Sequence, residues 1–174
     1  MDTIGFDIDG VLYDIHTAAY TELIAFHGLT IPFSKFWGNY KSYYSEKFYN
    51  SFFKIPILYD SMLPISGSIE TLNYLAGKYN LCYITARPQE VKYVTKKWLK
   101  TNKFPYYENV EFSKNKEVEI RSNNCKYFIE DCWVQDKVDS MSKITNLILV
   151  NAVYNRDIIN VPKIRLISEL KLLL

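Results

Sequence analysis

The chain has 174 residues, of which 48% are hydrophobic and 23% charged, and this balance is typical of a globular protein. Its length suits one domain with an insertion and excludes two large independent domains. Lysine and arginine together number 21 against 19 acidic residues, so the formal charge of +2 gives little attraction to a long polyanion. We therefore expect no nucleic-acid partner.

The three cysteines are Cys82, Cys125 and Cys132, and their spacing predicts neither a disulfide framework nor a zinc site. No stretch approaches the ~18 apolar residues of a membrane span, and no basic segment with a following apolar run opens the chain. We expect a cytoplasmic protein with no membrane partner. The sequence does not indicate an oligomeric state.

Strands and helices are predicted to alternate along the chain. Residues 3–8 predict a short buried strand, and Asp14 suits the N-cap of a helix that runs through Phe26 and stops at Gly28. Residues 31–63 are rich in aromatic side chains, and we expect short helices there. The later predicted elements are a helix from Ser66 or Ser68 to about 79, a strand at 81–85, a helix over 88–102, a strand at 110–112, a helix over 115–122, a strand at 127–129, a helix over 133–142, and strands at 147–150 and 163–166. This alternation predicts a mainly parallel, three-layer α/β/α sheet.

The carboxyl end of the first predicted strand carries two acidic residues. Ligands bind outside the carboxyl ends of strands in such sheets, so the turn Asp7-Ile8-Asp9-Gly10 is a candidate site. Two nearby carboxylates repel each other and favour a divalent cation, and hard carboxylate oxygens suit Mg²⁺. An ordinary acidic turn explains this pattern equally well when it is taken alone.

Polar residues also follow the next three strands. Thr85-Ala86-Arg87-Pro88 precedes a helix, so it could bind an anion or simply form a threonine N-cap. Lys114 and Lys116 follow the third strand, and Glu130-Asp131 ends the fourth. An acidic pair, a hydroxyl, a lysine and a second acidic pair on successive strand ends indicate metal-assisted phosphoryl transfer.

These motifs resemble those of the haloacid dehalogenase (HAD)-like superfamily of phosphohydrolases. The matching segments are Asp7-Ile8-Asp9-Gly10-Val11, Ile84-Thr85-Ala86-Arg87-Pro88, the neighbourhood of Lys114 and Lys116, and Ile129-Glu130-Asp131. The match covers nearly the whole chain apart from the aromatic insertion and the C-terminal segment. Together with residues 64–68, the motifs are similar to those of the 5'-nucleotidase branch, which includes the 5'(3')-deoxyribonucleotidases. The resemblance implies a Rossmann-like core with a small helical cap inserted after the first strand.

The resemblance also implies roles for the acidic residues. Asp7 would be the nucleophile that forms an aspartyl-phosphate. Asp9 would protonate the leaving alkoxide and then deprotonate the attacking water. Mg²⁺ would be bound by the Asp7 carboxylate, the Asp9 backbone carbonyl and Asp131. Glu130 would support the metal directly or through water, and Asp136 is the alternative residue for that role.

The remaining implied site residues bind substrate. Thr85, Ala86, Arg87 and Lys116 would hold the phosphoryl oxygens, and Thr85 and Lys116 would also stabilise the transition state. We prefer Lys116 to Lys114 because the sequence from Lys116 reads as a helix start. In the implied cap, Phe36, Trp37 and Tyr40 offer faces for a nucleobase, although each ring could instead belong to the cap's own core.

The implied domains are a catalytic core of residues 1–13 and 64–174 and a cap of residues 14–63. The function predicted is Mg²⁺-dependent hydrolysis of small phosphomonoesters, specifically of (deoxy)nucleoside monophosphates. The alternatives are a phosphatase for another small phosphomonoester or a polynucleotide end, because the catalytic motifs do not encode the leaving group. A non-catalytic phosphate-binding module is a third possibility, and the presence of Asp9 argues against it.

Overall fold

A computed structural model describes residues 1–36 and 45–174. Within these residues, six strands form one sheet: β1 (Thr3–Phe6), β2 (Asn80–Thr85), β3 (Val110–Phe112), β4 (Cys125–Glu130), β5 (Asn146–Val150) and β6 (Lys163–Ile164). Their order is β3-β2-β1-β4-β5-β6, and every neighbouring pair is parallel. This confirms the predicted parallel α/β sheet. Because the order reverses beside β1, the carboxyl end of β1 lies at the point where such sheets bind ligands.

Helices connect the strands. They are α1 (Ile15–His27), α2 (Phe33–Phe36), α3 (Glu46–Phe52), α4 (Ser68–Ala76), α5 (Lys92–Thr101), α6 (Lys116–Ser122), α7 (Gln135–Ser142) and α8 (Leu170–Leu173). Short 3-10 helices occupy Pro56–Tyr59, Gln89–Val91, Val153–Asn155 and Ile167–Glu169. No helix in the described ranges is long and apolar enough to cross a membrane.

The ends of α1 follow the sequence signals. The Asp14 carboxylate accepts a hydrogen bond from the Thr17 backbone N–H at 3.0 Å, which satisfies one of the open donors of the first turn. Gly28 ends the helix in the left-handed conformation, with φ of 66°. Both predicted ends are confirmed to within a residue.

Several predicted elements differ in their bounds, and two of these differences lie beside the acidic turn and the Thr85 segment. The predicted helix over 88–102 is a 3-10 turn followed by α5, because Pro88 itself is extended, with ψ of 152°. The first strand ends at Phe6 rather than at residue 8, because the Ile8 carbonyl accepts turn hydrogen bonds from Leu12 and Tyr13 instead of continuing the ladder. The acidic turn therefore begins directly at the sheet edge.

Apolar side chains cover both faces of the sheet. Along β2, Tyr83 points into one cluster of buried residues and its neighbour Ile84 into the other. Leu99 of α5 belongs to the first cluster, and Ile120 of α6 and Val138 of α7 belong to the second. The sheet is therefore the middle of three layers, as predicted.

The segment between residues 14 and 63 leaves the core and returns to it at one place. Tyr13 and Pro64 form an isolated antiparallel bridge, and the Ile65 backbone N–H donates to the Leu12 carbonyl at 2.9 Å. Helices α1, α2 and α3 lie within this segment.

Candidate active site

Three buried carboxylates meet at the carboxyl ends of β1 and β4. Phe6 lies opposite Ile129 in the parallel ladder, so the residues that follow these two positions emerge side by side. Asp7, Glu130 and Asp131 are buried there, and each offers one oxygen within 4.8 Å of the others. The sheet register thus assembles an acidic group from two segments that are far apart in sequence.

Lys116 lies between two of these acids. Its Nζ is 2.9 Å from Asp7 Oδ2 and 2.7 Å from Glu130 Oε2. Burial by itself lowers the pKa of Lys116, but the two carboxylates outweigh burial and raise that pKa above its ordinary value. Lys116 therefore carries its positive charge among the acids, whereas Lys114 is exposed on the wall of the adjoining cavity.

Lys116 does not fully offset the burial and mutual repulsion of the carboxylates in the acidic group. The pKa of Asp7 is raised to about 8, mainly by burial and next by the charge of Glu130, and Lys116 opposes both effects. Burial also raises the pKa of Glu130. Asp7 Oδ1 is buried without a hydrogen-bond partner. An unpartnered carboxylate oxygen beside two further acids fits a hard divalent cation such as Mg²⁺.

The second acid of the first motif has a different partner. Arg87 Nε lies 3.1 and 3.0 Å from the two carboxylate oxygens of Asp9, and Arg87 Nη2 lies 2.6 Å from Asp9 Oδ1. Arg87 Nη1 donates to Thr95 Oγ1 at 3.1 Å. The guanidinium carbon also lies 4.9 Å from the Tyr13 ring centroid and 4.6 Å from that of Tyr59. Asp9 is consequently held in one orientation by a fully packed arginine.

The residues predicted to bind phosphoryl oxygens lie at different depths. Thr85 is buried, and its hydroxyl accepts a hydrogen bond from the Arg87 backbone N–H at 3.2 Å. Ala86 is exposed and lines the cavity. The Arg87 side chain has no exposed surface, and its described partners belong to the protein itself. Substrate binding by Thr85, Ala86 and Arg87 stays a prediction.

A loop after β5 holds Asp131 in place. The Tyr154 hydroxyl donates to Asp131 Oδ2, and Asn155 Nδ2 donates to the Asp131 backbone carbonyl at 3.2 Å. Burial, followed by the charge of Asp131, raises the pKa of Tyr154, so the phenol keeps the proton that it donates. His16 Nε2 lies 3.9 Å from the same Asp131 oxygen. Sequence reasoning did not find Tyr154, since no motif marks a contact between residues 23 positions apart.

These residues open into a cavity of about 1100 Å³. Its lining includes Asp7, Asp9, Lys116, Glu130 and Asp131, together with side chains from the segment 14–63. The latter are Ile15, His16, Asn50, Phe53, Lys54 and Tyr59. Lys54 Nζ forms an exposed ion pair with Glu90 Oε1 at 2.5 Å. The cavity is large enough for a small molecule that extends beyond a phosphate group.

Other predicted residues lie away from the acids. Phe36 is 1% exposed, and its ring centroid lies 5.2 Å from that of Tyr20, inside the apolar core. Trp37 and Tyr40 lie outside the described residues. Asp136 is exposed in the first turn of α7, whereas Glu130 belongs to the buried acidic group. The predicted contacts of the three rings with substrate stay predictions.

Comparisons with known proteins agree with the geometry. No family model matches the sequence. A Bacillus cereus protein provisionally named a nucleotidase is 31% identical in an alignment of 182 positions, gaps included, that covers 95% of this chain and 94% of that protein. A HAD-superfamily hydrolase of subfamily IA from Geobacter sulfurreducens shares the fold with a TM-score of 0.68 at 17% identity, over 100% of both chains. A HAD-type hydrolase from Bacillus subtilis, crystallised with magnesium, gives a TM-score of 0.64 at 13% identity, over 99% of this chain and 97% of that one. The chain therefore belongs to the same family as this Bacillus cereus protein and has the fold of the haloacid dehalogenase-superfamily hydrolases.

Proposed function

We propose that the protein is a Mg²⁺-dependent phosphomonoester hydrolase that removes phosphate from (deoxy)nucleoside monophosphates. The observation that carries this proposal is the buried acidic group, in which Lys116 bridges Asp7 and Glu130 and one oxygen of Asp7 has no partner. The choice of nucleotides rests on the name of the Bacillus cereus relative and on the size of the cavity.

The reaction proceeds in two displacements at phosphorus. A carboxylate oxygen of Asp7 attacks, the bond from phosphorus to the ester oxygen breaks, and protonated Asp9 gives its proton to the departing alkoxide. Water then attacks the phosphorus of the aspartyl-phosphate while Asp9 takes the proton back. The bond between phosphorus and Asp7 breaks, which releases inorganic phosphate and restores both acids.

The acidic group would also hold the cation. The Asp7 carboxylate, the Asp9 backbone carbonyl and Asp131 would bind Mg²⁺, with Glu130 in support. When bound, Mg²⁺ supplies positive charge that offsets the repulsion between these carboxylates and a phosphate dianion. Lys116 would share its charge between Asp7 and a phosphoryl oxygen.

The remaining site residues would bind the substrate or orient the catalytic acid. Thr85 and Ala86 would hold phosphoryl oxygens, and Arg87 would orient Asp9. We also propose that residues 14–63 form a cap over a core of residues 1–13 and 64–174, because the segment returns to the core where it left it. Free thiols at all three cysteines suit a reducing compartment, and we propose a cytoplasmic location.

A substrate panel tests the proposal. Phosphate release would be measured with deoxyribonucleotides, ribonucleotides and sugar phosphates, with Mg²⁺ present or removed by a chelator. We expect release only with Mg²⁺ and fastest release from nucleotides. If no monoester releases phosphate in the presence of Mg²⁺, the proposal is wrong.

The covalent step needs its own variant. Asp7→Asn keeps the size of the side chain but removes the nucleophile, and we expect it to fold and to lose turnover. Asp2→Asn is the matched control, because Asp2 lies outside the cavity, where it pairs with Lys126 at 2.6 Å. Turnover by folded Asp7→Asn at the wild-type rate would refute covalent catalysis by this residue.

A further inference from the structure

Four described aromatic side chains line the cavity, and one of them differs from the rest in exposure. They are His16, Phe53, Tyr59 and Trp133. Tyr59 is buried against Arg87, His16 is buried, and Phe53 is half-buried. Trp133 leaves 44% of its surface exposed. Large apolar surface left open inside a cavity is typical of a ligand contact, since covering it with a flat ring is favourable.

The indole of Trp133 packs against a neighbouring ring. Its ring centroid lies 5.5 Å from that of Tyr154, and the two planes meet at 79°, in an edge-to-face contact. Tyr154 is in turn held by its hydroxyl bond to Asp131. Trp133 also lies in the short loop between β4 and α7, which leaves few residues to move. A ring that is already ordered loses little entropy when a ligand stacks on it.

The position of Trp133 relative to the acids suits the leaving group of a phosphate ester. Trp133 follows Asp131 by two residues, so their Cα atoms lie within about 7 Å of each other. A phosphate held at Asp7 and Asp131 would therefore have the indole within reach of a group that lies one sugar away from phosphorus. A nucleoside 5'-monophosphate has its base at that place.

We propose that Trp133 is the residue that binds the nucleobase, by stacking its exposed face on the base. This inference rests on the proposed function and adds to it where the base lies and which side chain selects nucleotides over phosphate esters that lack a base. It places base recognition on the core loop after β4. The phosphate end of the substrate stays at the buried acids.

The test compares two substrates that share a phosphate and a sugar. Wild-type protein and the variants Trp133→Ala and Trp133→Phe would be assayed on a nucleoside 5'-monophosphate and on ribose 5-phosphate. Loss of one stack worth about 1–3 kcal/mol corresponds to a five- to 150-fold fall in kcat/KM. We expect that fall for Trp133→Ala on the nucleotide, a change below about twofold on ribose 5-phosphate, and nearly wild-type values for Trp133→Phe.

Tyr93→Ala is the matched control, because Tyr93 is an aromatic residue of α5 with 82% of its surface exposed, and it does not line the cavity. This variant should leave kcat/KM unchanged on both substrates. Circular dichroism melting would verify that each variant is folded, and Trp133→Phe keeps a ring in place if the alanine variant unfolds.

The outcomes separate this inference from the proposed function. Equal losses on both substrates would overturn the inference, because Trp133 would then support the loop rather than a base. Unchanged kinetics on the nucleotide, or wild-type protein that hydrolyses ribose 5-phosphate as efficiently as the nucleotide, would also overturn it while phosphomonoesterase activity stands. If wild-type protein hydrolyses neither ester, the proposed function itself fails.

Discussion

Arg87 holds both carboxylate oxygens of Asp9, through Nε at 3.1 and 3.0 Å and through Nη2 at 2.6 Å. A planar guanidinium that binds a carboxylate in this way fixes the plane of the carboxylate as well as its distance. The rings of Tyr13 and Tyr59 hold the guanidinium in turn. If Asp9 gives its proton to the leaving group, Arg87 determines where that proton is delivered.

Arg87→Lys tests this relationship, because lysine keeps the positive charge but lacks the two-pronged geometry. We expect kcat/KM to fall about 100-fold for an alkyl phosphate, whose leaving group needs a proton. For p-nitrophenyl phosphate, whose leaving group is stable as an anion, we expect a fall below about tenfold. Steady-state kinetics on both esters measure the difference. Arg121→Lys, at an exposed arginine of α6, is the control, and equal falls on the two esters would contradict the positioning role.

The pKa of Asp7 predicts how Mg²⁺ stabilises the protein at different pH. Burial, together with the charge of Glu130, raises this pKa from 3.8 to about 8, so the folded chain binds the proton more tightly than the unfolded chain does. Without metal, stability therefore falls as pH rises from about 4 to about 8. A bound cation favours the charged carboxylate. We expect the gain in Tm on adding Mg²⁺ to be larger at about pH 8 than at about pH 5.

Thermal melting with and without Mg²⁺ at both pH values checks this expectation. Asp7→Asn lacks the titrating group, so its gain in Tm should depend less on pH. An equal gain at both pH values in the wild-type protein would show that Asp7 does not carry this dependence.

Tyr154→Phe removes the hydroxyl that orients Asp131 and leaves the ring in place. Groups that orient a metal ligand are typically worth 10–100-fold in metal affinity, so we expect Mg²⁺ to bind at least about tenfold more weakly. Calorimetric titration measures the affinity directly. Tyr83→Phe is the control, because the Tyr83 hydroxyl donates to the Pro105 carbonyl at 2.5 Å, outside the acidic group. Equal Mg²⁺ affinity in the two variants would contradict this role of Tyr154.

Lys116→Met and Lys114→Met compare the two candidate lysines. Removing Lys116 leaves Asp7 and Glu130 buried without their shared partner, which we expect to cost about 3–5 kcal/mol in the free energy of unfolding of the metal-free protein. Phosphate release should also fall by at least about 100-fold. Lys114 is exposed, so Lys114→Met should change stability by less than about 0.5 kcal/mol. Denaturant unfolding and kinetics check both effects. If Lys114→Met proves the damaging variant, Lys114 rather than Lys116 is the lysine of the family motif, and our assignment of that motif is wrong.

The fold and the acidic group were predictable because their signals are local. Buried apolar runs predict β1 and β4, and the acids stand directly after them in the sequence. A parallel sheet then brings such residues to one edge wherever their strands are neighbours. The preference for Lys116 over Lys114 rested on a helix start at Lys116, and α6 does begin there, after an Asn115 cap.

The partners of these residues were not predictable, because they depend on contacts across the fold. Arg87 and Asp9 are 78 positions apart, and no spacing rule connects them. The aromatic richness of residues 31–63 pointed to Phe36, but that ring packs against Tyr20 in the core. Trp133 gave no signal of its own, since its exposure depends on how the cavity closes around it. Composition can predict that a segment is rich in aromatic side chains, but only the packing of the fold determines which of these side chains remains exposed.

Gly10 links the first turn to the last acid of the site. Its φ is +78°, and a Cβ built there would lie 1.8 Å from Asp131 Oδ2 and 3.0 Å from the Tyr154 hydroxyl. A single methyl group at this position would therefore displace the Asp131 carboxylate and disturb its hydrogen bond with Tyr154, although the substitution adds or removes no charge. The spacing of the acidic site is thus set partly by an empty volume, and any redesign of the turn has to preserve that volume before it can preserve the chemistry.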